Sequence, residues 1–411
     1  MTRPLNIAIA GAGIGGLASA ALLAGDGHNV QLFDRFKAPA PVGSGLVIQP
    51  VGQTVLQICG AGAALSHGAR INRMLGFEAV TGARVLDVAY DLPNGDQYGL
   101  AIHRASLFDA LLHAARAQGV TPQPDAQVVG APQTDRGRML VMESGARIGP
   151  FDLVVDGTGA RSMLSPLKGR QLSYGAIWAT VPWPADTPLP RDHLSQRYRL
   201  AYRMIGVLPI GTLPGDPTQR AAVFWSLPST GEAAFRARPI EVWKAEAVAL
   251  WPEIAPFLAG VTQHHDLTMA RYEHGTLRSP FEEGLVFLGD AAHRASPQLG
   301  QGANMALLDA LALRQVLRRY PIAKALPAYA AARRWHIWMY QLLSATFTPQ
   351  YQSDSIVQPM LRDYLFRPLS RVPPMPRILT RLVTGRLLPP LGRGTEIAEL
   401  LDGGDAVPEL P

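Results

Sequence analysis

The residues best equipped to do chemistry in this chain sit in two glycine-rich strings far apart in the sequence. Near the N-terminus, Gly11-Ala12-Gly13-Ile14-Gly15-Gly16 follows the apolar run Leu5 to Ala10 and opens an Ala/Leu-rich stretch, Leu17 to Ala24. This is G-x-G-x-x-G in its strand-turn-helix setting, and each glycine has a task. Gly11 permits the tight turn, Gly13 lets the backbone approach a pyrophosphate, and Gly16 lets helix and strand pack closely. Free amides at the helix start, Ile14 and Gly15 among them, favour an anion. Asn29 to Phe33 reads as the next strand, and Asp34 at its tip, with Arg35 beside it, can accept hydrogen bonds from both hydroxyls of a ribose. These residues are assigned to an adenine dinucleotide, but the turn alone does not separate FAD from NAD.

The second string is Gly289-Asp290-Ala291-Ala292-His293-Arg294-Ala295-Ser296-Pro297-Gln298-Leu299-Gly300-Gln301-Gly302-Ala303-Asn304, between the apolar run Leu285 to Leu288 and a helix over about Gln301 to Arg318. It resembles the GD motif of the flavin-dependent aromatic hydroxylases, the family of para-hydroxybenzoate, salicylate and ubiquinone-biosynthesis hydroxylases. With the N-terminal turn, the resemblance spans roughly residues 5–340. It implies that Asp290 contacts the ribityl and ribose region of a non-covalently held FAD, and that the turn carrying Pro297 and Gly300 sets a helix start, Gly302-Ala303-Asn304, beside the flavin pyrimidine. Physics agrees, since amides at a helix start stabilise the negative charge of a reduced flavin. The resemblance also implies that Arg104 contacts the diphosphate side and that Gly45, in Gly43-Ser44-Gly45, lies near the isoalloxazine ring. A third family motif sets Asp-Gly before a Ser and an Arg. Here the matching stretch is Thr158-Gly159-Ala160-Arg161-Ser162-Met163-Leu164-Ser165, so Gly159 and Ser162 are kept while Thr158 and Ser165 replace the Asp and the Arg.

The family's activity follows as an expectation: NAD(P)H reduces FAD, O₂ adds to the reduced ring, and the resulting C4a-hydroperoxide hydroxylates a small aromatic or electron-rich substrate. The protein must then orient the substrate and keep water out. Pro297, His293 and Gln49 are the candidates for the ring side of such a pocket, and Gln49, Tyr202 and Trp225 for the substrate. The chain has no second G-x-G-x-x-G and no C-x-x-C pair, which suits a nicotinamide that docks without its own Rossmann domain and argues against a disulfide-reductase-type flavoenzyme. Two other readings stand beside this one. Trp178-Ala179-Thr180-Val181-Pro182 faintly echoes the halogenase string W-x-W-x-I-P, and a non-catalytic or partner-reduced FAD protein would fit the altered third motif.

These strings must be positioned by strands buried on both faces, alternating with helices. The expected fold is α/β: a Rossmann-like FAD-binding domain of the glutathione-reductase type, an inserted α+β substrate domain with a mostly antiparallel sheet, and a C-terminal helical segment. The expected boundaries are 1–75, 100–175 and 271–340 for the FAD-binding domain, 76–99 and 176–270 for the substrate domain, and 341–411 for the helical segment. Strand-like runs are Val85 to Tyr90, Leu153 to Val155, Ala201 to Leu208 and Ala221 to Leu227, with a turn at Pro93-Asn94-Gly95 and helices over Gly52 to Ile58 and Leu107 to Ala117.

The 411 residues are 47% hydrophobic and 17% charged, a balance that favours packed domains over disorder. Net charge is +6, but the Arg residues are dispersed, so nucleic acid is not expected as a partner. Cys59 is the single cysteine, which excludes an intrachain disulfide and a cysteine metal cluster; no metal is expected. A reducing cytoplasm and a monomer or homodimer fit best. Between Arg367 and Arg393 lie six Arg and no acid, interleaved with Ile378, Leu379, Leu382, Val383, Leu387 and Leu388. This segment reads as a helix with its apolar face packed inward and a solvated basic face, or else as peripheral contact with the inner membrane face.

Overall fold

A computed structural model describes residues 3–37, 44–90 and 97–391. The loop residues Val42 and Gly43, the turn Pro93-Asn94-Gly95, and everything from Gly392 on, including Arg393, lie outside them.

The apolar strand β1 (Asn6–Ala10) runs into helix α1 (Ile14–Gly25) and returns as β2 (Asn29–Phe33). Ile7 through Ala10 are fully buried because both faces of the sheet are covered. Downstream come β3 (Gly45–Ile48), α2 (Pro50–Ile58), β4 (Arg73–Glu78), β5 (Arg84–Ala89), β6 (Gly99–His103), α3 (Arg104–Ala117) and β7 (Leu153–Asp156). A long antiparallel run follows: β8 (Tyr174–Pro182), β9 (His193–Arg199), β10 (Arg203–Leu213) and β11 (Asp216–Pro228). After helix α4 (Ile240–Leu250), the chain forms β12 (Thr268–Ala270) and β13 (Leu285–Phe287). It ends in α5 (Gly302–Arg319), α6 (Ile322–Tyr351) and α7 (Met375–Val383).

One six-stranded sheet orders Phe281–Glu282, β13, β7, β1, β2 and Pro122–Gln123, all neighbours parallel except the first pair. Parallel neighbours need crossovers, and the crossover that follows β1 contains the glycine turn. Asp26 locks α1 to α5, accepting from Arg314 at 2.8 Å and Arg318 at 2.6 Å.

The other large sheet has seven strands in the order β12, β8, β11, β10, β9, β4, β5, antiparallel except where β9 meets β4. Alternation sorts its side chains. Ile177, Ala179, Val181, Val223 and Trp225 face a helical layer that carries Trp243, Trp251 and Phe257. Ile210, Leu208 and Ala222 point the other way and pack with Val47 and Tyr90, against β3. Helix α6 is unbroken through residue 340, where the sequence reading divides the chain.

Candidate active site

The glycine turn is as tight as its residues allow. Gly11 adopts φ +93°, and a Cβ on Gly16 would lie 1.9 Å from the Gly11 carbonyl oxygen. Asp34 reaches back and accepts from Ala12 N at 2.6 Å and from Phe36 N at 3.0 Å, so it braces the turn and leaves its remaining lone pairs toward the cleft. Above the carboxyl ends of the parallel strands opens a cleft of about 370 Å³. It is lined by Gly11 to Gly15, Asp34 and Arg35, Arg104, Gly157 to Gly159, Asp290, and Gly302-Ala303. The two strings, 289 − 11 = 278 residues apart at their starts, therefore meet on one cavity.

That cavity suits a flavin dinucleotide. A Cβ at Gly159 or at Gly302, where α5 begins, would meet no heavy atom within 4 Å, so both leave open space beside backbone amides. Gln49 is fully buried by the Gly300 turn; its Oε1 accepts from the Tyr90 hydroxyl at 2.8 Å while its Nε2 has no protein partner. Gln301 Oε1 and Gln298 Nε2, on either side of Gly300, are orphaned as well. Buried polar atoms left unpaired by protein call for a partner such as a ligand or an ordered water.

Asp290 opens onto the cleft and is exposed there, with the positive charges of His293, Arg104 and Arg294 near enough to favour its carboxylate. A bound polyol gives the carboxylate hydrogen-bond donors. Asp290→Ala is expected to weaken FAD binding about ten- to a hundred-fold, the equivalent of one charge-assisted hydrogen bond of roughly 1.5–3 kcal/mol. A fluorescence titration of the apoprotein checks this, and an unchanged Kd would remove Asp290 from the site.

Other sequence candidates do different work. His293 Nε2 lies 2.7 Å from Asp309 Oδ2, which also accepts from Gly289 N at 2.9 Å; Asp309 Oδ1 accepts from Arg333 Nε at 2.7 Å. Burial opposes ionisation of Asp309, but His293 and Arg333 outweigh it and hold the carboxyl far below the usual range. His293 is thus a brace of the GD turn. Asn304 is buried and acts as a clamp, accepting from Gln49 N at 2.8 Å and donating to the carbonyls of Gly300 at 2.9 Å and Val47 at 3.3 Å. Gly45 is small for packing: a Cβ there would lie 2.2 Å from Ile210 Cγ2. Pro297 starts the short turn Pro297–Leu299.

Two substrate candidates are corrected. Tyr202 is 40% exposed in the turn before β10, not on the strand expected from Ala201. Trp225 is buried edge-on against Trp243 with Arg203 over its ring, on the helix-covered face. The opposite face offers Trp178, one register step away, stacked on Phe224 at 4.7 Å and donating from Nε1 to the Tyr272 hydroxyl at 3.1 Å. Burial pushes the Tyr272 phenol up to about 12 although Arg104 is close enough to oppose it. Ser44 Oγ of the ring-side loop lies 3.1 Å from Thr180 Oγ1 on the same face.

The third motif also repairs itself. Asp156, buried at the end of β7, accepts from Thr158 N at 3.0 Å, Thr158 Oγ1 at 2.6 Å and Ser162 Oγ at 2.5 Å. A carboxylate thus stands two residues before Thr158, and the threonine hydroxyl donates to it where an ionised Asp side chain at 158 could not. Thr158→Asp is accordingly expected to weaken FAD binding at least ten-fold, by deleting a donor and crowding two carboxylates. Adding Asp156→Asn should recover much of the loss. Tighter binding in Thr158→Asp alone would contradict this account.

Comparison with known proteins points to the same cofactor. The model of a family described as "FAD binding domain" matches residues 5–338. The 6-hydroxynicotinate 3-monooxygenase of Bordetella bronchiseptica is 28% identical over 335 residues, covering 76% of this chain and 83% of that protein. The 3-hydroxybenzoate 6-hydroxylase of Klebsiella oxytoca is 25% identical over 365 residues, covering 81% of this chain and 85% of that one. Among solved structures, a tetrameric form of 2-methyl-3-hydroxypyridine-5-carboxylic acid oxygenase superposes with TM-score 0.76 at 21% identity, covering 92% of this chain and 97% of that one. With its two flavin strings converging on one cleft, the chain belongs to the FAD-dependent aromatic hydroxylase family, as a monooxygenase whose cofactor is FAD.

Proposed function

We propose that this protein uses NAD(P)H and O₂ to hydroxylate a small hydroxylated aromatic or heteroaromatic substrate. The observation that carries the reading is the aromatic pair Trp178 and Phe224 on the second sheet, joined by Tyr272 from the loop after β12, with Arg104 of the cleft wall close enough to act on the Tyr272 phenol. FAD, when bound, supplies the redox chemistry that links the nicotinamide to O₂.

The chain's own residues do the rest. Gly302 and Ala303, at the start of α5, present amides where negative charge must be held, and the helix dipole points the same way. The Gly11 to Gly16 turn and Asp34 hold the adenosine half, and Asp290 the ribityl half. Tyr272 stays protonated at neutral pH, so it can donate to a phenolic or ring oxygen while it accepts from Trp178. Trp178, backed by the buried Phe224, offers aromatic surface for stacking and keeps water from the reacting atoms. The names of the relatives support this substrate class, for they act on hydroxylated pyridine and benzene carboxylates.

The halogenase reading has no comparable support, because Trp178 is engaged by Tyr272 and Phe224. Anaerobic stopped-flow reduction with NADH or NADPH, with and without hydroxylated benzoates and pyridines, tests the proposal. Substrate is expected to accelerate flavin reduction. If neither nicotinamide reduces the flavin with any substrate, the partner-reduced alternative replaces this reading.

A further inference from the structure

The sequence places an amphipathic helix near the C-terminus, and α7 is one: Leu382 and Val383 are buried while Arg377 and Arg381 face solvent. The segment just before it is built the other way round. Residues 357–369 form an uninterrupted helical stretch that includes a π turn at Arg362–Phe366. Val357, Met360, Leu361, Tyr364, Leu365 and Leu369 recur at spacings of three, four, seven, eight and twelve, which is the apolar stripe of an amphipathic helix. That stripe faces out: Tyr364 is 80% exposed, Val357 62% and Leu365 52%.

The inward face is held by a cation. Arg362, 1% exposed, donates to the carbonyls of Leu200 and Gln350 and pairs with Asp363, with its guanidinium over the rings of Tyr198 and Tyr351. The stripe is therefore fastened in place, not loosely draped. Exposed apolar surface of this extent marks a partner.

We propose that this stripe docks on an anionic lipid surface. Charge selects that occupant. Arg367 lies within the stripe and Arg371 just past its end, Arg377 and Arg381 follow on α7, and none of the four has a carboxylate partner among the described residues. The only acid within the stretch, Asp363, is taken by Arg362. A second copy docking through the same surface would set these arginines against their own images, whereas anionic headgroups neutralise them. Apolar residues beneath a rim of Arg, with an exposed Tyr, form the composition of an interfacial helix. No described helix is long and apolar enough to cross a membrane, so contact would be at the surface.

The test is co-sedimentation of the full-length holoprotein with vesicles of phosphatidylcholine alone or mixed with phosphatidylglycerol, at low and high salt. Binding is expected only to the anionic vesicles and should weaken with salt. Arg367→Gln with Arg371→Gln should lower the partition coefficient on the order of 25-fold, five-fold per charge. Tyr364→Ser with Leu365→Gln and Leu369→Gln should abolish it, with FAD content and Tm retained because these side chains are already in solvent. Absence of binding by the intact chain overturns the proposal, as does binding indifferent to both sets of substitutions. A chain that binds no vesicles but forms a dimer dispersed by the apolar set would assign the stripe to a second copy. Recovery of binding only after removal of residues 392–411, which carry five acids and one Arg, would assign it to that tail.

Discussion

Gly16→Ala is expected to yield a protein that no longer retains FAD. The added methyl would sit 1.9 Å from the Gly11 carbonyl oxygen, which is backbone and cannot rotate away. The same movement would press on a turn that already packs against Gly157 and Thr158, since a Cβ on Gly11 would lie 2.7 Å from Thr158 Cα. Overpacking of this kind costs about 3 kcal/mol, which lowers the Tm of a chain this size by about 3–4 °C. Gly27→Ala is the control. Gly27 also has positive φ, +85°, but a Cβ there meets nothing within 4 Å. It should lose about 1 kcal/mol to the left-handed backbone and keep its flavin. Equal flavin affinity in both variants would contradict the assignment of the turn.

Arg333→Met should destabilise the fold by about 3–5 kcal/mol, the cost of leaving a buried charge without its partner. Arg333 and Asp309 are both fully buried, and Arg333 also donates to the Pro390 carbonyl, so one side chain ties α6 to α5, to the GD turn and to the last described residues. Thermal denaturation should show the loss, and flavin release should accompany it because Asp309 holds both Gly289 and His293. Removing Asp309 as well should cost less than the sum of the single changes.

The cluster also predicts a pH dependence. Burial, and then the Arg333 cation, pull the pKa of His336 down to about 3 from an ordinary value of 6.5. Between those values the unfolded chain binds a proton that the folded chain refuses, so stability falls as pH drops from about 6.5 toward 3. Arg333→Met relieves part of that depression and should flatten the acid limb.

Both flavin strings were legible in the sequence because their chemistry is local: a strand, a turn and a helix start, all within a dozen or so residues. The alternation of buried strands and helices was legible for the same reason. The substrate face was not. Trp178 and Trp225 are both aromatic residues on strands, and only the register between β8 and β11, with the helices on one side, decides which one faces away from the helical layer. Tyr202 moved into a turn because β10 starts only at Arg203. The brace Asp309–Arg333 joins residues on two different helices and left only one trace, a lone acid within the apolar run Leu307 to Leu313. Asp156 was visible at the end of its strand, but its action on Thr158 and Ser162 depends on how the chain turns after it. The outward stripe was anticipated one segment too late, because helical periodicity reveals an apolar face without saying whether anything covers it.

The central claim is oxygen transfer from O₂ to an aromatic substrate, and mass spectrometry of turnovers under ¹⁸O₂ tests it most directly. The holoprotein is supplied with NADH or NADPH and the substrate that most accelerates flavin reduction. The account predicts a product carrying one added oxygen, with the heavy label from the gas and none from H₂¹⁸O in the converse experiment. Nicotinamide consumption that yields only hydrogen peroxide, or an added oxygen that derives from water, would contradict it.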